Sequence, residues 1–151
     1  MLQWSFDHDD TMKSLSDFLA QIPASGALNL TIISTDKDVT LQLPYNGNTN
    51  HHGTVFGGSL SLGATLAGWA VVHEHFPQAC GDIVIKHSEI RYLAPATSDV
   101  LIHATLTDDS HRVKTMLARF GKASVHTQCT LSVGETVVAK FKGVFVIKTH
   151  A

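Results

Sequence analysis

At the centre of this chain stands the sequence Asn50-His51-His52-Gly53-Thr54-Val55-Phe56-Gly57-Gly58-Ser59. It belongs to a stretch of 35 residues, 39–73, that contains no Asp, Glu, Lys or Arg. An uncharged segment that still holds hydrogen-bonding side chains and a glycine pair is typical of a polar site that enters a protein core. We therefore expect this stretch to be buried on most sides and to carry the function.

A helix is predicted to follow this loop, beginning near Gly57 and ending near Val72. Nine of the fourteen residues 57–70 are Gly, Ala or Ser. Each interior glycine costs about 1 kcal/mol relative to alanine, so close packing must offset that cost. Small side chains let backbones approach, which favours a helix wrapped by a curved sheet. The segment is also shorter and less apolar than the roughly 20 residues of a membrane span, so no span is expected.

The remaining elements follow from periodicity and turn residues. Asp9 and Asp10 are N-cap types before an amphipathic helix that ends at Pro23, and residues 24–26 are predicted to form a loop. A second helix is predicted over residues 110–120, with Gly121 terminating it. Extended patterns predict six strands, at residues 27–34, 39–43, 83–93, 100–107, 123–133 and 136–147.

Length and charge limit the classes of protein that fit. A chain of 151 residues is expected to form one domain, residues 1–151. Eleven basic and thirteen acidic side chains occur without a Lys/Arg run, so nucleic acid and anionic membranes are not expected partners. Cys80 and Cys129 are isolated from each other in the sequence, which predicts free thiols in a reducing compartment. The first residues do not combine a basic end with an apolar run, as a secretory signal peptide would, so we expect a cytoplasmic protein.

Two motifs and the order of elements resemble the hotdog-fold thioesterase superfamily. The motifs are the loop Asn50…His52-Gly53…Gly57-Gly58 before a small-residue helix, and the strand end Ile90-Arg91-Tyr92-Leu93-Ala94-Pro95-Ala96. More narrowly, Gly53-Thr54-Val55-Phe56-Gly57-Gly58-Ser59-Leu60 followed by Leu66-Ala67-Gly68-Trp69 looks like a thioesterase domain that some bacteria carry behind an N-acetyltransferase domain. These 151 residues contain no acetyltransferase part.

The resemblance covers residues 10–148 and implies an α+β hotdog fold. In that fold a six-stranded antiparallel sheet wraps around the central glycine-rich helix, here with an N-terminal helix and a short extra helix. The superfamily pairs its sheets edge to edge and forms its sites between subunits. The resemblance therefore implies a homodimer, or a tetramer built from two dimers.

The activity that the resemblance implies is hydrolysis of an acyl thioester of coenzyme A or of an acyl carrier protein. Unpaired N–H groups at a helix N-terminus can polarise a carbonyl, a role that the family places on a loop glycine, here Gly58 and less directly Gly57. Asn50 would orient water or the carbonyl, and His52 would act near neutral pH as a base. His51, which points differently, is a candidate for contact with the substrate, and one of the two histidines is expected to be loop surface. The alternative is that the glycines and Asn50 only build a turn.

This sequence departs from the family at the position of its carboxylate. Many members carry Asp or Glu seven residues beyond the glycine pair, and that position here is Thr65. A threonine hydroxyl can hold water, or it can bond its own helix backbone. Glu89 is a replacement candidate, because His87, Glu89 and Arg91 share one strand face. If that face meets water, the three form a solvated charge row.

Other residues are candidates for contacts with the substrate. Leu62, Leu66 and Trp69 would line the acyl slot, and Arg119 or Lys122 would meet the phosphates of coenzyme A. We expect no cofactor, and no metal because the histidine pairs lack helical i,i+4 spacing. Two other functions remain open. One is a non-catalytic acyl-thioester or lipid-binding domain, and the other is a hydroxyacyl-thioester dehydratase, which requires a His–carboxylate pair.

Overall fold

The computed structural model describes residues 14–149 of the chain. Asp9 and Asp10, part of the predicted first helix, lie outside the described residues. The helices are α1 (Leu15–Leu19), α2 (Pro23–Leu28), α3 (Gly57–His75) and α4 (Ser110–Phe120), and Pro77–Ala79 form a 3-10 turn. The strands are β1 (Thr31–Ser34), β2 (Val39–Leu43), β3 (Ile83–Tyr92), β4 (Val100–Leu106), β5 (Lys122–Val133) and β6 (Thr136–Lys148).

The six strands form one antiparallel sheet in the order β1-β2-β4-β5-β6-β3, and the sheet packs around α3. Alternate residues of each inner strand are buried, as in β5, where Val125, Cys129 and Leu131 are buried and Gln128 and Thr130 are exposed. One face of the sheet is therefore covered by α3 and the other faces outward. This is the predicted α+β hotdog architecture, and the prediction is confirmed.

The small residues of α3 are explained by how close the helix lies to the sheet. A Cβ built on Gly63 would come within 2.7 Å of the Ile102 Cδ1, and one built on Gly68 within 3.0 Å of the Phe145 ring. Ala64, Ala67 and Ala70 are fully buried along the same helix. Larger side chains would push the helix away from the strands, so the glycine content follows from the packing distance.

A second apolar cluster anchors the C-terminal half of α3. Val72 and Phe76 pack with Val113 and Leu117 of α4 and with Phe145 of the sheet. The cluster lies where α4 has been inserted between the paired strands β4 and β5. The end of α3 remote from the loop is therefore fixed on both sides by apolar contacts.

The prediction for residues 24–34 was wrong in part, because Pro23 begins a helix. Pro23 occupies the first turn of α2, where its fixed φ is favourable and its missing N–H has no helical partner to lose. The Ser25 hydroxyl donates to the carbonyls of Leu19 and Ile22, which joins α2 to α1. Asn29 closes α2 in the left-handed conformation, so strand β1 begins only at Thr31.

The first predicted helix was expected to end at Pro23, but α1 ends at Leu19 and Ile22 precedes α2. The other predicted elements are confirmed to within a residue or two, apart from the end of α3. Helix α4 covers the predicted residues, and Gly121 follows it with φ 72°. Strands β5 and β6 are joined by Gly134 and Glu135, since Val133 pairs with Thr136. Helix α3 begins at Gly57 as predicted but ends three residues later than Val72, at His75. Within residues 14–149, no helix has the length and apolar character needed to cross a membrane.

Candidate active site

The loop that leads from β2 into α3 is held by a buried asparagine. Asn48 is only 5% exposed, and its side-chain amide donates to the carbonyls of Leu28 and Pro44. Its own carbonyl accepts from the N–H of Phe56, the residue that precedes α3. Asn48 therefore fixes the first turn of α3 to the end of β2 and to α2.

Asn50 organises the tip of the same loop. Its Oδ1 accepts from the backbone N–H of His52 at 2.9 Å and of Thr54 at 3.2 Å, while its Nδ2 donates to the Thr54 hydroxyl at 2.9 Å. The backbone adds a bond from Asn50 N–H to the Thr54 carbonyl. Within this protomer the Asn50 oxygen accepts two hydrogen bonds of the turn, and one Nδ2 hydrogen remains for a substrate.

His51 and His52 are both exposed at this tip. Their rings lie 3.9 Å apart and are tilted by 43°. A bridge between Thr49 and Val55 separates the tip from the first turn of α3. Both imidazoles are therefore accessible at the tip of the loop.

The N-terminus of α3 has no side-chain cap. The N–H groups of Ser59 and Leu60 both donate to the Phe56 carbonyl, and Gly57 and Gly58 supply the two preceding amides of the first turn. Such first-turn N–H groups have no acceptor within a helix and lie at the positive end of its dipole. A Cβ on Gly58 would lie 2.4 Å from the Phe56 ring, so the bare backbone lets that ring fold over the turn.

An apolar groove of about 390 Å³ opens beside this turn. Its lining comprises Val55, Gly57, Leu60, Tyr92, Leu93, Ala94, Pro95 and Ala96. The Tyr92 hydroxyl donates to the Gly57 carbonyl at 3.2 Å, and its ring lies 3.4 Å from the position of a Cβ on Gly57. The groove therefore joins the end of β3 to the first-turn amides of α3.

Three of the predicted site residues share one stripe of α3 that the sheet leaves uncovered. Gly58 and Leu62 are exposed and Thr65 is half-buried, at spacings of four and three residues along the helix. The Thr65 hydroxyl donates to the Ser61 carbonyl at 2.9 Å, which is the helix-backbone bond that a threonine in this position can make. The stripe runs from the uncapped helix end along the open side of the protomer.

Leu66 and Trp69, predicted to line the acyl slot, belong to the packed interior of this protomer. Leu66 is buried in the main core. Trp69 donates its Nε1–H to the Ile83 carbonyl at 3.0 Å and stacks on His73 with ring centres 5.5 Å apart. The Phe18 ring contacts both of these rings. Leu66 and Trp69 fix α3 in place and leave Leu62 as the exposed apolar member of the three.

Glu89 lies on the outward face of the sheet. It pairs in register with Lys142, which pairs with the exposed Gln128, whereas the adjacent Ile90 pairs with the buried Phe141. The outward face is the one that α3 does not cover. Glu89 and the uncapped turn of α3 are therefore on opposite faces of the sheet, and the structure does not bring them together.

Arg119 and Lys122 lie near the beginning of β3, far from the loop. The Arg119 guanidinium is 5.2 Å from the centre of the Phe120 ring. Lys122, Lys86, Met116 and Phe120 are among the residues that line a groove of about 280 Å³ there. These cations are at the opposite end of β3 from Tyr92 and the apolar groove.

Cys80 and Cys129 are buried and form no disulfide with each other. Burial raises the pKa of the Cys129 thiol to about 12, and its Sγ–H points to the Ala64 carbonyl at 3.5 Å. A thiol with so high a pKa is not ionised near neutral pH. Among residues 14–149 no group of three or more His, Cys, Asp or Glu side chains is arranged to hold a metal ion.

Sequence reasoning missed two residues that build the site, Asn48 and Tyr92. Asn48 was one of several polar residues in a turn-rich loop, and only its burial distinguishes it from Asn46. Tyr92 lay within a quoted motif, but its bond to Gly57 joins residues 35 positions apart. A local pattern carries no signal for such a contact.

The fold and site together define a hotdog-fold protein of the thioesterase type. A sequence model of a protein family, described as "Putative thioesterase (yiiD_Cterm)", matches residues 12–149. This chain therefore belongs to that family, and acyl thioester hydrolysis is the activity that its description supports.

Solved structures agree with this assignment. The thioesterase structure from Shewanella oneidensis has 30% sequence identity and a TM-score of 0.79, with 93% of this chain and 99% of that chain covered. A protein of unknown function from Chlorobaculum tepidum has 24% identity, a TM-score of 0.81 and coverage of 90% and 93%. The PaaI protein of E. coli, from the phenylacetic acid degradation operon, has 16% identity, a TM-score of 0.70 and coverage of 94% and 95%. The last two share the fold.

Proposed function

We propose that this protein hydrolyses acyl thioesters of coenzyme A or of an acyl carrier protein to the free acid and thiol. The observation that carries the proposal is the uncapped first turn of α3, which lies beside an apolar groove within a chain of the thioesterase family. The groove would take the pantetheine or acyl part of the substrate. The Gly57 and Gly58 amides would face the thioester carbonyl.

The chemistry of this turn suits the reaction. Attack of water on a thioester places negative charge on the carbonyl oxygen, and fixed N–H donors at a helix N-terminus stabilise that charge. Gly58 is the preferred donor because it is exposed and lies on the open stripe of α3. The Tyr92 hydroxyl, bonded to the Gly57 carbonyl, holds the peptide that carries the Gly58 N–H.

Activation of water is assigned to His52 in this proposal, with Asn50 orienting the water and His51 contributing to the rim. His52 is exposed at the loop tip, and histidine is the side chain that enzymes use most often as a general base. Glu89 is a weaker candidate because it lies on the outward face of the sheet. Thr65, held by the Ser61 carbonyl, would contribute at most a hydroxyl to the water site.

A homodimer formed through β3 would complete the site. β3 is an edge strand of ten residues, and nine of its ten residues are exposed or half-buried in the protomer. A long edge with unpaired backbone groups is a template for another strand. Antiparallel pairing of two β3 strands would bring the loop of one protomer toward the open stripe of α3 in its partner, and a tetramer would pair two such dimers.

The compartment proposed for this reaction is the cytoplasm. Both cysteines are free and buried, which agrees with a reducing environment.

The test is release of free thiol from acyl-CoA substrates of graded chain length. We expect turnover by the wild-type protein, and a fall in kcat of about 100-fold in His52→Ala if His52 is the base. Lys114→Ala, an exposed change on α4, is the matched control and should leave turnover unchanged. Thiol release that is absent for every thioester, measured on folded protein, would remove the proposal.

The second candidate is a non-catalytic acyl-thioester or lipid-binding domain. Two observations favour it: Thr65 stands at the family's carboxylate position, and the Asn50 amide is engaged within its own turn. This candidate predicts saturable binding of acyl-CoA without release of thiol. A dehydratase is less favoured, because the first carboxylate on α3 is Glu74, at the far end of the helix.

A further inference from the structure

A recess lies on the outward face of the sheet, across β3, β6 and β5. It has a volume of about 370 Å³. Six polar or charged side chains line it: Glu89, Arg91, Gln128, Thr130, Lys140 and Lys142. We call it the cationic trough.

The charges of the trough are arranged unfavourably in the absence of a ligand. Arg91 pairs directly with Lys140 across two strands, and Glu89 pairs with Lys142. Like charges directly opposite each other on a sheet are destabilising. Within residues 14–149 none of these three cations forms an ion pair, and the single acid leaves an excess of positive charge. An anion held among Arg91, Lys140 and Lys142 would remove the repulsion.

The shape of the trough selects a small ligand. Its volume is in the range of pockets that hold small molecules, whereas a nucleic acid would require a longer cationic track. Arg and Lys together are the side chains that bind phosphate groups in proteins. Gln128 and Thr130 of β5 add neutral hydrogen-bonding groups to the lining of the trough. A phosphorylated small molecule therefore fits both the charge and the size.

The trough also lies next to the proposed thioester site. Arg91 and Tyr92 are consecutive and point to opposite faces of β3, and the strand ends at Tyr92, whose hydroxyl bonds to Gly57. A substrate with its phosphates in the trough could pass around this strand end and place its thioester in the groove beside α3. Coenzyme A has this layout, because a pantetheine arm separates its phosphates from its sulfur.

We propose that the cationic trough binds the 3′-phosphoadenosine diphosphate end of coenzyme A, so that acyl-CoA is the substrate class. The proposal rests on the hydrolysis proposed above. It differs from the sequence-based expectation that Arg119 and Lys122 meet the phosphates. Arg119 and Lys122 lie near Lys86, at the beginning of β3. Lys86 is about 16 Å along the strand from Arg91, which lines the trough.

The experiment compares two substrates that differ only in the phosphorylated end. In Lys140→Ala/Lys142→Ala we expect KM for acyl-CoA to rise about tenfold or more, since charge-assisted phosphate contacts are lost, with kcat unchanged. For the same acyl group on N-acetylcysteamine, which has no nucleotide, both constants should stay at wild-type values. Adenosine 3′,5′-bisphosphate should compete with acyl-CoA in the wild type and much less in the variant. Lys114→Ala, which removes one exposed lysine of α4, is the control.

Several results would overturn the proposal. An unchanged KM for acyl-CoA in the double variant would do so, as would a larger effect in Lys122→Ala than in the double variant. A rise in KM confined to acyl carrier protein substrates would assign the trough to the carrier protein instead. If no thioester is hydrolysed at all, the proposed function fails, and calorimetry with adenosine 3′,5′-bisphosphate then decides the trough separately. Binding of this probe that the double variant loses supports the trough, and absence of binding overturns it.

Discussion

Glycines on the covered side and on the open side of α3 differ in what surrounds them. On the covered side, an added methyl group on Gly63 would collide with the Ile102 Cδ1, and one on Gly68 would be tightly packed against the Phe145 ring. On the open side, Gly58 would meet only the exposed ring of Phe56, which is free to move. The covered glycines are fixed by packing against a rigid sheet, and the open glycine is a candidate for chemistry.

This difference separates stability from activity along one helix. Changes on the covered side should lower the free energy of unfolding, because the interior is close-packed and yields little. Changes on the open side should leave that free energy nearly unaltered and should act on turnover. The predictions below test this separation, beginning with the largest expected effect.

The largest effect is expected for Gly58→Val. The branched side chain would displace the Phe56 ring and obstruct approach to the Gly58 amide, so kcat for thioester hydrolysis should fall by about 100-fold or more, as for loss of one oxyanion donor. The free energy of unfolding should change by less than about 1 kcal/mol, since the ring has solvent to move into. Thiol release and denaturant melts give the two numbers.

Gly26→Val is the matched control for that change. Gly26 also lies in a helix, α2, and an added Cβ would meet nothing within 4 Å. This variant should keep wild-type turnover. Equal loss of turnover in both variants, or loss of stability alone in Gly58→Val, would contradict the separation of the two sides.

Gly63→Ala tests the covered side. Alanine is favoured over glycine in a helix by about 1 kcal/mol, yet its Cβ would lie 2.7 Å from the Ile102 Cδ1. We expect the collision to win and the free energy of unfolding to fall by about 1–3 kcal/mol, measured by urea denaturation.

Ile102→Val supplies the control, because it removes the colliding Cδ1. The double variant Gly63→Ala/Ile102→Val should be more stable than the sum of the two single changes predicts, by an amount that a double-mutant cycle measures. Simple additivity would show that the contact between Gly63 and Ile102 does not limit the helix position.

Asn48→Ala should act on both properties, because Asn48 links the core to the loop. Its loss would leave the buried carbonyls of Leu28 and Pro44 without their donor, which costs about 1–3 kcal/mol of unfolding free energy. Turnover should fall as the first turn of α3 loosens. Asn46→Ala, an exposed change in the same loop, should alter stability by less than about 0.5 kcal/mol.

Glu74→Gln should show a smaller, pH-dependent effect. Partial burial raises the pKa of Glu74, and His75 opposes this by lowering it. A carboxyl group with a raised pKa favours folding while it is protonated, so its contribution is present below its ordinary value of 4.5 and is lost as the pH rises through the folded pKa. At pH 7 the variant should therefore be the more stable protein, and below pH 4.5 the difference in melting temperature should vanish. A constant difference at all pH values would contradict this.

The smallest effect is expected for Thr65→Ala. The hydroxyl bonds only the Ser61 carbonyl of its own helix, so the free energy of unfolding should change by less than about 0.5 kcal/mol and kcat by less than threefold. A tenfold fall in kcat at constant stability would instead give Thr65 a place in the water site.

Most of the fold could be predicted from the sequence, because the patterns that indicate its helices, strands and turns are local. Alternation in residues 122–133 and 136–148, the small residues of α3 and the glycine after α4 each act through their immediate neighbours. The error at Pro23 arose because a proline that ends one helix can equally begin the next, and only the packing of Ser25 against Leu19 decides. The candidate site was less accessible, since the Tyr92–Gly57 bond and the opposite faces of Glu89 and Gly58 depend on strands that pair far apart in sequence.

The Cys129 thiol can be used to measure how often α3 separates from the sheet. The thiol is enclosed between β5 and α3, so a maleimide can reach it only when the helix lifts from the strands. In a Cys80→Ser background, the labelling rate would measure how often that opening occurs under native conditions, without added dye or denaturant. A bound substrate that holds α3 against the sheet would slow this opening. The labelling rate of Cys129 would then report substrate binding.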